Sequence, residues 1–343
     1  MTLADVCVGL IIAGITAYAV LGGADFGAGL WDLTAGGPRR GARVRGMIER
    51  SMSPVWEANH VWLIFILVVF WTAFPVAFGS VFSTLYVPFG LAAIGIIFRG
   101  SAFALRGQAA TMNEARALGA TFALSSVIVP FCFGAAIGGI ASGRVPVGNA
   151  TGDLFSSWLN PTSIIIGVLA VVSGAYLAAV FMAGDARRAG LPDLERAFRA
   201  RALGAAVVAG AVAIGALAVV HSDARALYDG LTSGTGLLFV ILSAAFGIVT
   251  LALVWLDRFE LARVSSAGAV ACVMIGWAVA QKPYILPGEL TLRQASASNT
   301  TLTALVISMA AGAVVLVPSL WWLYRLTLQG RLDKPFKPMG DEL

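Results

Sequence analysis

With 343 residues, 59% of them apolar and 12% charged, the chain reads as a polytopic membrane protein and not as a soluble domain. Its net charge of +5 comes from basic residues lying between apolar runs, with no dense basic stretch interleaved with aromatics, which argues against a nucleic-acid partner. Cys7, Cys132 and Cys272 sit inside apolar segments without a Cys-x-x-Cys or haem-attachment pattern and read as buried free thiols; with only two histidines besides, no metal site is expected.

The N-terminus has no positively charged region ahead of its apolar run, so the first segment is expected to be a retained helix. It runs from Val6 toward Leu33 and is interrupted by Asp25 and Asp32. Asp25 follows Asp5 by 20 residues, ~30 Å along a helix, and so approaches the far boundary of the membrane. A carboxylate there costs ~2.5 to 3.5 kcal/mol against lipid and should face protein or water. Asp32 shares its helical face, although a charged helix end that snorkels to the headgroups is the plainer reading for both. Gly22-Gly23 and Gly27-x-Gly29 allow another backbone to come close.

The next two spans form a hairpin, roughly Ser53 to Phe74 and Val81 to Phe98, with 41 uncharged residues between Glu57 and Arg99. Pro75 and Gly79-Ser80 are expected to make its turn. Ser53 suits the N-cap and Pro54 the first helical position, which places Glu57 in the opening turns, favoured by the helix dipole. Glu57 and His60 are neighbours on one face and suit a proton-relay pair, with a hydrogen-bonded interior imidazole as the plainer alternative. Metal or haem ligation is disfavoured because His221 belongs to the opposite membrane face. Trp56, Trp62 and Trp71 read as interfacial anchors or core filling, or as part of the cluster around Glu57. Arg99 either follows the positive-inside rule, pairs with Glu57, or meets an anionic group such as a haem propionate from another subunit.

Six further spans follow: about Ala117 to Ala141, Pro161 to Ala183, Ala202 to Val220, Leu237 to Leu256, Val264 to Gln281 and Thr301 to Tyr324. Counting Lys and Arg on alternate sides gives 19 against four, the minority being Arg144, Arg225, Lys282 and Arg293. The majority includes Lys334 and Lys337. Nine spans with the N-terminus outside and the C-terminus cytoplasmic satisfy this count. The expected division is 1–150 as a first four-helix bundle, 151–300 as a second, and 301–343 as a peripheral ninth helix and cytoplasmic tail.

Ala24-Asp25-Phe26-Gly27-Ala28-Gly29, Pro54-Val55-Trp56-Glu57-Ala58-Asn59-His60-Val61-Trp62, Leu85-Tyr86-Val87-Pro88 and Phe98-Arg99-Gly100-Ser101-Ala102-Phe103 follow one another in an order and spacing that resembles subunit II of the cytochrome bd quinol oxidases. Pro283-Tyr284-Ile285-Leu286-Pro287 and Ala297-Ser298-Asn299-Thr300-Thr301-Leu302 are similar to that family's segment before the last helix. The resemblance implies an all-α membrane subunit of two four-helix bundles plus one peripheral helix, in the bacterial cytoplasmic (inner) membrane. It implies pairing with a haem-bearing subunit I that carries three haems of b and d types and oxidises quinol. The complex reduces oxygen to water electrogenically with cytoplasmic protons, and the isolated chain is expected to be inactive and to bind no haem. The family's proton-route carboxylates fall on Asp25 and Glu57, with His60 standing where many members have a second acid. Arg99, Trp56 and Trp62 are then expected near the haem or the subunit interface. Some members also hold a structural quinone or a small single-helix subunit.

Two readings from other classes compete: a secondary transporter of a small solute, suggested by Pro88, Gly90 and Pro130 inside spans, and a scaffolding subunit whose acids only anchor assembly. The choice of ubiquinol or menaquinol, the route of oxygen and the higher oligomeric state leave no mark in the sequence.

Overall fold

The computed structural model describes residues 2–53, 55–106, 109 and 111–332, without the side chains of 38, 39 and 328. Pro54 and the tail lysines Lys334 and Lys337 lie outside the described residues. The chain opens with a capping box: Thr2 Oγ accepts from the Asp5 N–H at 3.3 Å and Asp5 Oδ2 accepts from the Thr2 N–H at 2.8 Å. Helix α1 (Leu3–Ala17) then passes through a π-helical turn, Tyr18–Gly22, into α2 (Gly23–Leu33). Helix α3 (Pro38–Met52) is amphipathic, burying Ala42, Val44, Met47, Ile48 and Met52 while Arg43 is exposed.

The hairpin consists of α4 (Trp56–Ala73), the short α5 (Pro75–Thr84) and α6 (Tyr86–Leu105). There follow α7 (Met112–Ala141), α8 (Pro161–Arg188), α9 (Pro192–Asp223), α10 (Arg225–Leu231), α11 (Gly234–Trp255) and α12 (Phe259–Gln281). A small antiparallel pair, β1 (Tyr284–Leu286) and β2 (Leu290–Thr291), leads through α13 (Leu292–Ala295) to α14 (Asn299–Leu328). Among the described residues, nine helices are long and apolar enough to cross a membrane, in agreement with the expected number.

Several boundaries differ from those read in the sequence, for identifiable reasons. Helix α4 begins at Trp56, and Ser53 ends α3 with its N–H bonded to the Glu49 carbonyl, so it does not cap the hairpin. Pro75 opens a separate helix instead of a turn, and the third span is displaced to Tyr86–Leu105. Pro88 therefore lies in the first turn of α6, where its missing N–H is harmless and no break results. Helices α7, α8 and α9 extend past their uncharged runs because charge marks the edge of the hydrocarbon, not the end of the helix.

Helix α2 is wedged between α7 and α8. The Trp31 indole N–H donates to the Ala175 carbonyl at 2.8 Å, and Gly27 faces the Gly174 backbone with no room for a Cβ. Helices α8 and α9, α11 and α12, and α6 and α7 pack along their lengths, while α14 rests on α1 and α4 through Leu302 and Leu305 against Cys7 and Val69. Ion pairs join helix ends: Arg43–Asp193 (2.9 Å), Arg188–Glu260 (2.5 Å) and Arg199–Asp257 (3.1 Å) at one end, Arg144–Asp223 (2.6 Å) at the other. All three cysteines are buried free thiols.

Candidate functional site

The π-helical turn inserts one extra residue into the first span, immediately before Asp25. It leaves the Leu21 carbonyl facing α4, where Asn59 Nδ2 reaches it at 3.4 Å. The same amide nitrogen donates to Asp25 Oδ2. Asp25 and Asn59 are both buried, and on the other side of the amide the Tyr324 hydroxyl of α14 donates to Asn59 Oδ1 at 2.6 Å. Three helices distant in sequence thus meet at one amide, that of Asn59.

Arg99 lies beneath them, only 1% exposed. Its Nη2 donates to the Asp25 backbone carbonyl at 2.9 Å and its Nε to Ser126 Oγ at 3.0 Å, while Ser126 passes its own hydrogen to the Phe122 carbonyl at 2.7 Å. The guanidinium stands over the Phe26 ring at 4.8 Å and the Phe122 ring at 5.1 Å. Among the described residues no cation approaches the Asp25 carboxylate within ion-pair distance. The acid is held by an amide, and the Arg99 charge beside it bonds the Asp25 backbone carbonyl and Ser126 and not the carboxylate.

Asp32, seven residues on, has different surroundings. It is 3% exposed and receives Arg45 Nε at 2.8 Å and Arg106 Nη1 at 2.5 Å, with Arg106 Nη2 at 3.2 Å. It does not snorkel to headgroups; two arginines neutralise it inside the protein, tying α3 and α6 to α2.

Glu57 is exposed on α4. It is two residues from Asn59, about 200° around a helix, so the turn that brings Asn59 to Asp25 points Glu57 away from it. The Arg99–Glu57 pair, one of the three readings of Arg99, is not seen among the described residues, because Arg99 is bonded to α2 and α7. His60 is half-buried, with Nδ1 3.3 Å from the Tyr18 hydroxyl and its ring between Phe26 and Trp56. Trp56 also packs on Phe103, ring centres 5.5 Å apart. Trp62 packs on Phe65, and its indole N–H is buried without a partner. Trp71 is exposed and stacks on Phe78, as an anchor would. His221 is exposed at the far end of α9, 2.6 Å from Arg225.

Sequence reasoning missed Asn59, Tyr324, Ser126 and Tyr18. Asn59 carried a signal, an uncharged polar residue inside an apolar span that needs a partner there. Tyr324 carried none, since a tyrosine near a helix end reads equally as an interfacial anchor.

An apolar cavity of about 340 Å³ lies between α1, α4, α5, α6, α7 and α12, closed toward β1. Tyr18 and Phe89 line it, as do Trp277 and Gln281, whose Nε1 and Oε1 atoms are buried without partners.

The sequence profile described as cytochrome bd terminal oxidase subunit II matches residues 3–327. The chain is 25% identical over 370 residues to the cytochrome bd-I ubiquinol oxidase subunit 2 of Escherichia coli (strain K12), covering 95% of this chain and 93% of that one. It is 30% identical over 114 residues, about a third of each chain, to the cytochrome bd ubiquinol oxidase subunit 2 of Bacillus subtilis (strain 168). Its fold superimposes on a chain of the bd oxidase from Geobacillus thermodenitrificans with a TM-score of 0.81 and 25% identity, covering 96% of this chain and 99% of the other.

Proposed function

From the premise that this chain belongs to the cytochrome bd terminal oxidase subunit II family, we propose that it supplies a proton-uptake route to an oxygen-reducing centre housed in a haem-bearing subunit I. The observation that carries this reading is the contrast between two buried carboxylates on one helix. Asp32 is locked by two arginines, whereas Asp25 has an amide on its carboxylate and Arg99 on its backbone oxygen. A locked ion pair has no reason to exchange its proton. An acid whose charge is opposed by burial and supported by one amide and a displaced guanidinium can alternate between its two forms.

In this reading Glu57, exposed on α4, exchanges protons at the surface of the subunit, and Asp25 holds them inside. His60, one turn beyond Glu57 and hydrogen-bonded to Tyr18, orders the aromatic wall between them. Trp56 and the exposed Phe98 lie on the hairpin beside Glu57 and Arg99 in sequence, and this surface suits contact with subunit I. In this reading these groups lie toward the cytoplasm of a bacterial inner membrane, an orientation supported by the excess of basic residues on one side. The 1–150 and 151–300 halves act as two bundles, with α14 set against the first.

We assign no haem to this chain. Haem in such a complex requires axial ligands, and the two histidines do not fit: His60 is enclosed by rings with Nδ1 on Tyr18, and His221 pairs with Arg225 at the opposite end of the bundle. If this chain holds a structural quinone, the 340 Å³ apolar cavity would be its place, and the unpartnered Trp277 N–H would be a donor for a ring carbonyl. Such a quinone would brace the helices around it. Solute transport has less to rest on, since Pro88 lies in the first turn of α6, Gly90 lies within that helix, and α7 runs continuously through Pro130.

The test is made on the whole oxidase in vesicles. The proton-route reading expects Asp25→Asn to reduce quinol-driven oxygen consumption and proton uptake together at unaltered haem content. Full turnover in an assembled variant would leave only a scaffolding role.

A further inference from the structure

The amide of Asn59 can present either of two nearly isosteric edges to Asp25, an oxygen that accepts or an NH₂ that donates. Two contacts set the choice. The Tyr324 hydroxyl donates to Oδ1 at 2.6 Å, and the Leu21 carbonyl accepts from Nδ2 over a much longer 3.4 Å. With the hydroxyl in place, Nδ2 faces the Asp25 carboxylate, the orientation that suits an ionised acceptor. Without it the amide is held only by the long Leu21 contact and by Asp25 itself, and the flipped amide turns its oxygen toward Asp25, which that acid tolerates only when it carries a proton.

We propose that Tyr324, on the last helix, is a positioning residue that fixes the Asn59 amide and thereby sets how readily Asp25 gives up its proton. The inference rests on the reading of Asp25 as a proton-exchanging group. It gives α14 a part in the proton route although this helix packs mainly on α1 and α4.

Other groups around Asp25 are accounted for. Arg99 from α6 donates to the Asp25 carbonyl and to Ser126, and Tyr18 from the π-helical turn is bonded to His60 of α4. Helix α7 presents Ser126 and Phe122, which do not titrate, and α8 presents the backbone of Gly174. Arg45 of α3 is turned to Asp32. None of these touches the Asn59 oxygen.

The experiment measures oxygen consumption of the intact oxidase against pH. Tyr324→Phe keeps the ring and removes the hydroxyl. The limb of the profile governed by Asp25 should move to higher pH by about half to one unit, the size of one hydrogen bond. In an Asn59→Leu background the same substitution should move it no further. A rate lowered equally at every pH, or an unmoved limb, overturns the proposal. Should Tyr324→Phe fail to assemble, 3-fluorotyrosine at position 324 decides on the acid side of neutrality. Its stronger donation should move the limb to lower pH, and no movement would again overturn it. Asp25→Asn in the same preparation separates the two readings: an unaffected Asp25→Asn rejects the proton route itself, whereas a slow Asp25→Asn with a silent Tyr324→Phe rejects only the positioning role.

Discussion

Gly27 of α2 meets the Gly174 backbone of α8 so closely that a Cβ on Gly27 would overlap the Gly174 carbonyl oxygen. The contact lies two residues beyond Asp25 and fixes how deeply α2 sits between α7 and α8. Without water to drive helices together, a membrane bundle relies on such close backbone approach.

Gly27→Ala is therefore expected to force α2 and α8 apart, at a cost of about 1–3 kcal/mol or more because the obstructing atom is backbone and cannot swing aside. The measurement is the thermal midpoint and yield of the assembled oxidase. Gly9→Ala, with nothing within 4 Å of the added methyl, is the control and should match the parent.

The number of spans, their order and the segregation of basic residues were legible because each follows from the cost of placing charge or open backbone in hydrocarbon. The acids at 25 and 57 were legible for the same reason. Their separation was not. Asp25 and Glu57 look like one cluster in sequence, yet helical phase turns Asn59 toward Asp25 and Glu57 outward, and that phase depends on where α4 starts. The sequence suggested a start at Ser53, whereas the connection from α3 uses that residue to finish its own last turn. Arg99 stayed open for the same reason: a basic residue at the end of an uncharged run reads equally as a boundary marker, a partner for Glu57 or a site for an anionic group, while here it is buried and α6 continues past it.

Asp32→Asn should behave as a stability change and nothing else. Its two partners are themselves largely buried, Arg106 at 8% and Arg45 at 17% side-chain exposure, so neutralising the acid strands two positive charges away from water. Breaking such a pair costs roughly 3–5 kcal/mol. The expected outcome is a lower yield of assembled complex with oxygen turnover per haem unchanged in what assembles. A turnover defect of its own would show that Asp32 also carries protons.

Glu57→Gln should do the reverse. Glu57 is exposed and makes no side-chain hydrogen bond or ion pair among the described residues, so its loss removes none of these. Haem content and yield should hold while turnover falls, most visibly at high pH where protons are scarce. Loss of the haem spectrum instead would place Glu57 in the subunit interface as a structural contact.

Asp25→Asn is the sharpest of these tests because the structure predicts what survives it. The substituted amide is isosteric with the carboxylate, and Arg99 keeps its bonds to the backbone carbonyl of residue 25 and to Ser126, so the guanidinium retains its donors and its place over Phe26 and Phe122. Tyr324 continues to hold Asn59. Assembly and haem content should therefore persist, while the one group at this position able to accept and release a proton is gone. Turnover is expected to fall about 10²-fold, the usual scale for removing a positioned proton-transfer group. Asp25→Glu, which restores the acid at the expense of packing, should recover part of that loss. If Asp25→Asn and Asp32→Asn instead lower yield alike and spare turnover alike, the difference between a locked acid and an exchangeable one has no functional meaning, and the carboxylates of this helix serve only to hold it in place.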